Sequence, residues 1–369
     1  MDTNEPLKRT PLFSAHQRAG GRMVPFAGWE MPVQYAGVSQ EHRAVREQAG
    51  MFDVSHMGEL ELRGEHAIAV VNYLVTNDIG KLEDGQSIYT CCCNAGGTVL
   101  DDLIVYRAAH DRVLIVCNAG NHPKMAAVFE KAAKDHCEFR DLSAETALIV
   151  VAGPKAFSIL ALVGDVSHVA KLPAFGFAEA RILNVDVTLA RTGYTGEEGV
   201  EIFCPWGEAE RIWNGLLEVG APLGLSPCGL ACRDTLRLEC KMALYGNDID
   251  ETTNPFEAAL GWTVKLDKGD FVGREALVAA KANVTRKLVG FEMVGRGIAR
   301  HGYPVKSAEG GPVIGAVTSG SPSPTLGKNI GLAYVPLEEA AIGARLFVDC
   351  RGKDVEAVVV KTPFYKRRS

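Results

Sequence analysis

The sequence predicts an α+β chain that ends in a separate β domain, and two observations carry that reading. Through about residue 285, short alternating apolar runs are interleaved with amphipathic helical runs. From about residue 286 the helical period fades, and strands punctuated by Gly and Pro take over. At 369 residues the chain has length for roughly two or three domains with substantial cores.

Residues 10–57 read as short helices and turns: TPLFSAHQRAG, VPFAGWEMPVQY, then a helical SQEHRAVREQAGMF started at Ser39 and stopped by Gly50. Asp53–Gly58 leads into an alternating strand, Glu59-Leu60-Glu61-Leu62-Arg63, and 65–75 reads as a helix. A hairpin follows. Asn94-Ala95-Gly96-Gly97 is a turn, 98–107 a strand, Ala109-His110-Asp111 a second turn, and Val113–Cys117 the returning strand, closed by Asn118-Ala119-Gly120-Asn121. Residues 123–134 form an amphipathic helix. A second segment opens near Leu142, with strand Ala147–Val151, Gly153-Pro154, a helix over 155–163 and a strand over 181–191. Helices over 207–219, containing Trp213, and 226–244 complete it. Strands at 287–293, 313–318, 330–334, 345–350 and 355–360 make up the β domain. There is no internal repeat and no low-complexity linker.

The net charge of −6 gives no electrostatic reason to expect nucleic acid or an anionic membrane as partner. The basic Lys366-Arg367-Arg368 is too short to change that. No apolar run approaches the ~20 residues of a membrane helix. MDTNEPLKRTPLF has no apolar signal core, so a cytoplasmic, bacterial protein is expected. Of ten cysteines, Cys91-Cys92-Cys93 are consecutive, and Cys228, Cys232 and Cys240 fall on what reads as one helix. Without CxxC or paired His spacing, buried reduced thiols are expected and no metal site.

Familiar motifs are absent or broken. In SPTLGKN, Gly320 and Gly327 enclose six residues where a phosphate loop has four, and Asn329 stands where Ser or Thr is required. No GxGxxG follows a strand, and there is no GxSxG. Three polar insertions into apolar or glycine-rich settings remain. In NAGGTVLDDLIVY (94–106), alternation puts Val99, Asp101, Leu103 and Val105 on one face, and Leu100, Asp102, Ile104 and Tyr106 on the other. Each apolar face carries one carboxylate, which must be paired, protonated or hydrogen-bonded if buried; an Asp capping a neighbouring turn is the alternative. In RTGYTGEEGVEIF (191–203), glycines at 193, 196 and 199 permit close backbone approach, and Glu201 lies between Val200 and Ile202. A carboxylate there can accept two parallel hydrogen bonds from an amidine-like edge, against the alternative of a solvated strand Glu. In CGLACRDTLRLECKMALYGND (228–248), Arg233 and Arg237 stand one turn apart, suited to a ligand carboxylate or to a surface ladder with Asp234 and Glu239.

These stretches belong to a longer series: VPFAGWEMPVQY (24–35), AGMFDVSHMGE (49–59), NAGGTVLDDLIVYR (94–107), RTGYTGEEGVEIF (191–203), ACRDTLRLE with LYGNDID (231–250), NPFEAALGW (254–262) and SPTLGKNIGLAYV (323–335). In that order and over nearly its full length, the chain resembles the glycine cleavage system T-protein family of aminomethyltransferases. The resemblance implies a three-domain cloverleaf folate-binding fold. Its discontinuous first domain is residues 1–53 with 143–282, its middle domain 54–142, and its C-terminal β-barrel-like domain 283–369. It implies transfer of the one-carbon unit from the aminomethyl-dihydrolipoyl arm of the H protein to tetrahydrofolate, giving 5,10-methylenetetrahydrofolate and ammonia. The H protein, its lipoyl group and tetrahydrofolate are thus the implied partner, carrier group and co-substrate. The second Asp of the family's DDL pair is catalytic, which falls on Asp102, leaving Asp101 structural. Glu201 matches the pterin-binding carboxylate with Tyr194 beside the ring; Met57, Val116 and Asn118 match the rest of the pterin pocket; Arg233 and Trp262 match the folate-tail region. Met242 and Cys91–Cys93 match no family role, and Arg367 is a candidate for the tail. A folate-dependent demethylase on the same scaffold and a non-catalytic folate-binding iron–sulfur assembly factor are the competing readings. The first is often fused to a flavin domain, and the second expects a distinctive later cysteine motif and no complete DDL/Glu/Arg set.

Overall fold

The computed structural model describes residues 6–367; the first residues of MDTNEPLKRTPLF and Arg368 of the basic tail lie outside them. The chain forms two compact units. One holds residues up to 71, 79–88 and 103–234; the other holds 72–78, 89–102 and 235 onward.

In the first unit a six-stranded sheet runs in the order Phe177–Ile182, Val185–Ala190, Gly199–Pro205, Thr146–Ala152, Ala49–Asp53, Leu225–Pro227. Only the last pair is parallel, with Leu225 opposite Ala49. Period-two alternation turns Val200, Ile202 and Cys204 into a core shared with Ile159, Ile212, Trp213 and Leu216. The helix Ala209–Gly220 buries Ala209, Ile212, Trp213, Leu216 and Gly220, a spacing that lines one helical face. Glu201 and Phe203 are thereby left on the sheet's opposite face.

A five-stranded sheet follows the order Gln86–Cys93, Val99–Ala109, Arg112–Cys117, Gly58–Arg63, Glu138–Asp141. The strand Val99–Ala109 passes from one unit into the other. Val99, Asp101, Leu103 and Val105 are all closed to solvent, at 1% exposure or less. Asp102 and Ile104 on the other face are half-buried. Across the ladder, Ile104, Val116 and Glu59 form one row, and Tyr106, Leu114 and Glu61 the next.

The second unit contains a closed barrel in the order Arg286–Met293, Lys328–Pro336, Val313–Ser323, Pro304–Lys306, Arg345–Asp349, Asp354–Val360. Gly290 pairs with Val360 to close it. Phe291, Val305, Val317, Val335, Leu346 and Val348 fill its interior. Gly327 takes φ 65° in the turn before Lys328, so SPTLGKN is a hairpin turn.

Several elements differ from expectation. The helix expected from Ser39 spans Val38–Glu47, and Ala49–Asp53 is a strand, fully buried between Thr146–Ala152 and the edge strand Leu225–Pro227. A hairpin, Arg22–Phe26 with Trp29–Gln34, replaces part of the expected helix-and-turn region. The strand expected over 181–191 is two strands, because Leu183 and Asn184 take positive φ, 49° and 60°, in a tight reversal. The helix expected over 226–244 spans only Leu230–Glu239, and Lys241 at φ 55° turns the chain away. Only Cys232 of Cys228, Cys232 and Cys240 therefore lies in that helix. Pro304–Lys306 is a strand the sequence did not announce. All ten cysteines are free thiols. Glu41, Cys228 and Cys232 cluster, but the Glu41 carboxylate is committed to the backbone N–H groups of Tyr35, Gly37 and Gly229. Among the described residues, no helix is long and apolar enough to cross a membrane.

Candidate functional site

The two units each hold part of the predicted residue set. In the first, the turn-rich stretch 191–198 joins Val185–Ala190 to Gly199–Pro205. Gly196 takes φ 80° there, and a Cβ on Gly199 would lie 2.4 Å from the Val151 carbonyl oxygen. The stretch is pinned from outside: Arg46 donates to the Thr195 carbonyl at 2.7 Å and to Glu197 at 2.8 Å, and Arg191 pairs with Glu198.

Glu201 is the centre of this half. Thr192 Oγ1 donates to Glu201 Oε2, and the Tyr106 hydroxyl reaches the same oxygen at 3.2 Å. The two hydroxyls lie 3.1 Å apart. No described hydrogen bond reaches Oε1. Burial pushes the Glu201 carboxyl up, opposed by the two hydroxyl donors and the Arg233 charge. The Arg233 guanidinium lies over the Tyr194 ring, 4.6 Å from its centroid. The solvated-strand alternative for Glu201 is thus set aside: two buried hydroxyls are directed at it.

The ladder places Gly58 opposite Cys117, so Met57 and Asn118 flank one end of the same strand pair. Val116 is buried in the next row, opposite Glu59. His56, beside Met57, is buried with Nδ1 unpartnered. Burial, then the Arg233 charge, lowers its imidazole to about 4 against the pull of Asp53. Both Glu59 oxygens lack a hydrogen-bond partner, and burial, then Asp141 and Glu201, hold its carboxyl well above the usual range. A cleft of about 800 Å³ in this unit is lined by Glu59, Tyr106, Val116, Phe177 and Phe203, but not by Glu201, Tyr194, Arg233, Met57 or Asn118.

In the second unit, Asn94 holds the predicted turn: its amide donates to Thr98 Oγ1 at 2.6 Å, and Gly97 takes φ 76°. The strand so launched carries Asp102, whose Oδ2 accepts the Tyr89 hydroxyl at 2.9 Å. Tyr89 in turn stacks on Trp262, centroids 5.7 Å apart and planes 25° from parallel. Trp262 is 57% exposed, an unusual position for an indole with no surface role.

Arg237 does not join Arg233 as a ligand-facing pair. It is buried, donating to Asp248 at 2.6 Å, Ser319 at 2.8 Å and the Met242 carbonyl at 3.1 Å. Nor is there a surface ladder, since Glu239 is buried and accepts from Ser323 and Thr325. A helix turn moves residues 233 and 237 by about 40° around the axis, enough to send the second inward. Sequence reasoning did not single out Tyr89, Tyr106, Thr192 or His56. Tyr106 shared the Asp102 face, and Thr192 and His56 lay inside quoted motifs; Tyr89 carried no signal.

Family models described as the GCVT N-terminal domain and the glycine cleavage T-protein C-terminal barrel domain match residues 12–268 and 286–366. A relative named aminomethyltransferase from Symbiobacterium thermophilum is 50% identical, covering 98% of each chain. Another of that name, from Desulfitobacterium hafniense, is 47% identical over 98% of this chain and 99% of its own. The crystal structure of glycine cleavage system aminomethyltransferase T from Bartonella henselae is similar at a TM-score of 0.91 and 35% identity, covering 98% of this chain and 99% of that one.

Proposed function

The chain belongs to the glycine cleavage T-protein family, and from that membership we propose that it is a tetrahydrofolate-dependent aminomethyltransferase. It takes the aminomethyl group from the dihydrolipoyl arm of the H protein and delivers its carbon to tetrahydrofolate. The carbon exchanges its C–N and C–S bonds for bonds to N5 and N10 of the folate. The two folate N–H protons leave with the products, ammonia and the dihydrolipoyl thiol.

The observation that carries this reading is Glu201 with Oε2 held by Thr192 and Tyr106 and Oε1 outside any described hydrogen bond. A half-buried carboxylate so fixed suits the amidine-like N–H edge of a pterin, whose donors replace water. Tyr194, backed by the Arg233 guanidinium, supplies a ring face for the head group, and Arg233 supplies charge for the folate tail. Met57, Val116 and Asn118 complete the pterin pocket. Asp102 is the catalytic carboxylate. Its charge stabilises the cation that develops on the transferring carbon and folate nitrogens, and the Tyr89 hydroxyl orients it. Trp262, stacked on Tyr89, borders the ligand tail.

The sheets support a three-part division into 1–53 with 143–282, 54–142, and 283–369. The strands of the six-stranded sheet all fall in the first segment pair, those of the five-stranded sheet in the second, and the barrel in the third. A bacterial cytoplasm is the setting we propose; the organisms of the relatives support its bacterial part. The test is ammonia release measured with and without aminomethyl-loaded H protein and tetrahydrofolate. Release that needs both is expected; release indifferent to tetrahydrofolate, or none with both present, overturns the reading.

A further inference from the structure

Glu201 is held in a way that the bare requirement for a carboxylate does not explain. One hydroxyl donor would orient it, yet two converge on a single oxygen, from chain positions 86 residues apart. Thr192 comes from the turn before the strand of Glu201, and it is buried. Tyr106 comes from the five-stranded sheet, its ring clamped edge-on between Phe177 at 5.3 Å and Phe203 at 5.4 Å. Its hydroxyl therefore has no freedom to turn elsewhere. With both donors spent on Oε2, the remaining acceptor capacity lies on Oε1 and is directed by them.

We propose that Thr192 and Tyr106 are positioning residues for ligand recognition: by occupying Oε2 they present Oε1 of an ionised Glu201 to the N–H edge of the folate head group. The inference rests on the reading of Glu201 as the pterin-binding carboxylate. Both donors stabilise the charged form, so the pair also sets the pH range over which Glu201 can accept. The groups facing it are Thr192 on its own turn, Tyr106 and Glu59 from the five-stranded sheet, and Arg233 from the helix Leu230–Glu239. The hydroxyls and Arg233 favour the anion, while Glu59 disfavours a second charge.

The experiment compares Thr192→Val, Thr192→Ser and Tyr106→Phe in the full chain, by calorimetric titration with tetrahydrofolate from pH 5 to 8. Thr192→Val is expected to weaken binding about tenfold at neutral pH, the loss of one hydrogen bond to a charged group. Thr192→Ser restores the hydroxyl and should bind within about threefold of the unaltered protein. Affinity should fall as pH drops and Glu201 protonates, and in Thr192→Val that fall should begin at higher pH, since removing a donor to the anion raises its pKa. A purely packing role would leave that midpoint in place. Unaltered affinity and midpoint in Thr192→Val, or a Thr192→Ser variant as weak as the valine, overturns the proposal. Should Thr192→Val not fold, Tyr106→Phe is read the same way, and unaltered affinity and midpoint there overturn it. Glu201→Ala separates the two levels. If that variant binds tetrahydrofolate normally, the pterin reading itself fails; if it binds weakly while the hydroxyl variants do not, only the positioning role fails.

Discussion

The Tyr89 hydroxyl donates to Asp102 Oδ2 at 2.9 Å while the ring of Tyr89 stacks on Trp262. One aromatic residue thus orients the carboxylate and supports an exposed indole. Asp102→Asn keeps the shape and loses the charge. It is expected to bind tetrahydrofolate within about tenfold of normal and to lose about a hundredfold or more in turnover, because in the proposed role the charge acts mainly in the transition state. Methylenetetrahydrofolate formation from loaded H protein is the measurement; undiminished turnover removes Asp102 from the chemistry. Tyr89→Phe should lower turnover by a smaller factor, about tenfold, as one hydrogen bond to a charged group is lost.

On the proposed pterin reading, Glu201→Ala leaves the ligand's N–H edge without its acceptor. Tetrahydrofolate affinity should weaken by roughly 1–3 kcal/mol, read by calorimetry at pH 7. Affinity equal to that of the unaltered chain would place the pterin elsewhere.

His56 makes stability fall in mild acid. Its folded-state value, about 4, lies below the 6.5 of a free imidazole, so the unfolded chain takes up a proton the folded one refuses. The contribution is full above pH 6.5, declines below it, and is lost by about pH 4. The span corresponds to about 3 kcal/mol. Denaturant titrations at pH 7 and pH 4.5 should show a smaller loss in His56→Gln than in the unaltered chain. An identical loss would mean that other groups govern the acid limb. Asp53 acts at lower pH: burial raises its carboxyl, but the bonds from His16, Thr10 and Ser55 win and hold it low. Its stabilisation is present above the usual carboxylate range and is lost as pH falls below it.

Arg237→Met should be costly for stability. It leaves Asp248 buried without its 2.6 Å partner, a change worth about 3–5 kcal/mol. The urea midpoint is the measurement, and a shift near zero would show that the Ser319 and Thr318 hydroxyls and the Leu244 N–H, which also donate to Asp248, suffice without the guanidinium. Arg237→Met with Asp248→Leu should recover part of the loss, because the orphaned charge is then gone.

The extent of what residues alone disclose follows from which distances they encode. Period-two alternation separated Asp101 from Asp102 by face, and the structure puts the first at 0% exposure with the second half-buried. Alternation carries no information on which face meets a ligand, so that choice came from the family resemblance. The C-terminal β domain was legible because its turn residues and strand patterns are local signals, but its closure came from the family resemblance, since the short strand Pro304–Lys306 that completes the barrel carries no such signal. The donors to Glu201 were not legible as partners, since Tyr106 lies 95 residues away and meets it only once two sheets are built. Arg237 was misjudged for the same reason: a charged residue on a helix is ordinarily exposed, and Ser319 is 82 residues distant. Lys241 ended a helix that composition alone would continue, since a positive φ at lysine is uncommon.

Gly199 has a practical consequence for anyone wishing to retune this protein toward another ligand. It opens the ladder opposite Ala152, with the Val151 carbonyl 2.4 Å from where any β-carbon would stand. A library that randomises the whole 191–201 stretch would therefore waste most of its members on displaced backbones. One that varies residues 192, 194 and 201 while keeping 199 bare samples new chemistry on an undisturbed frame.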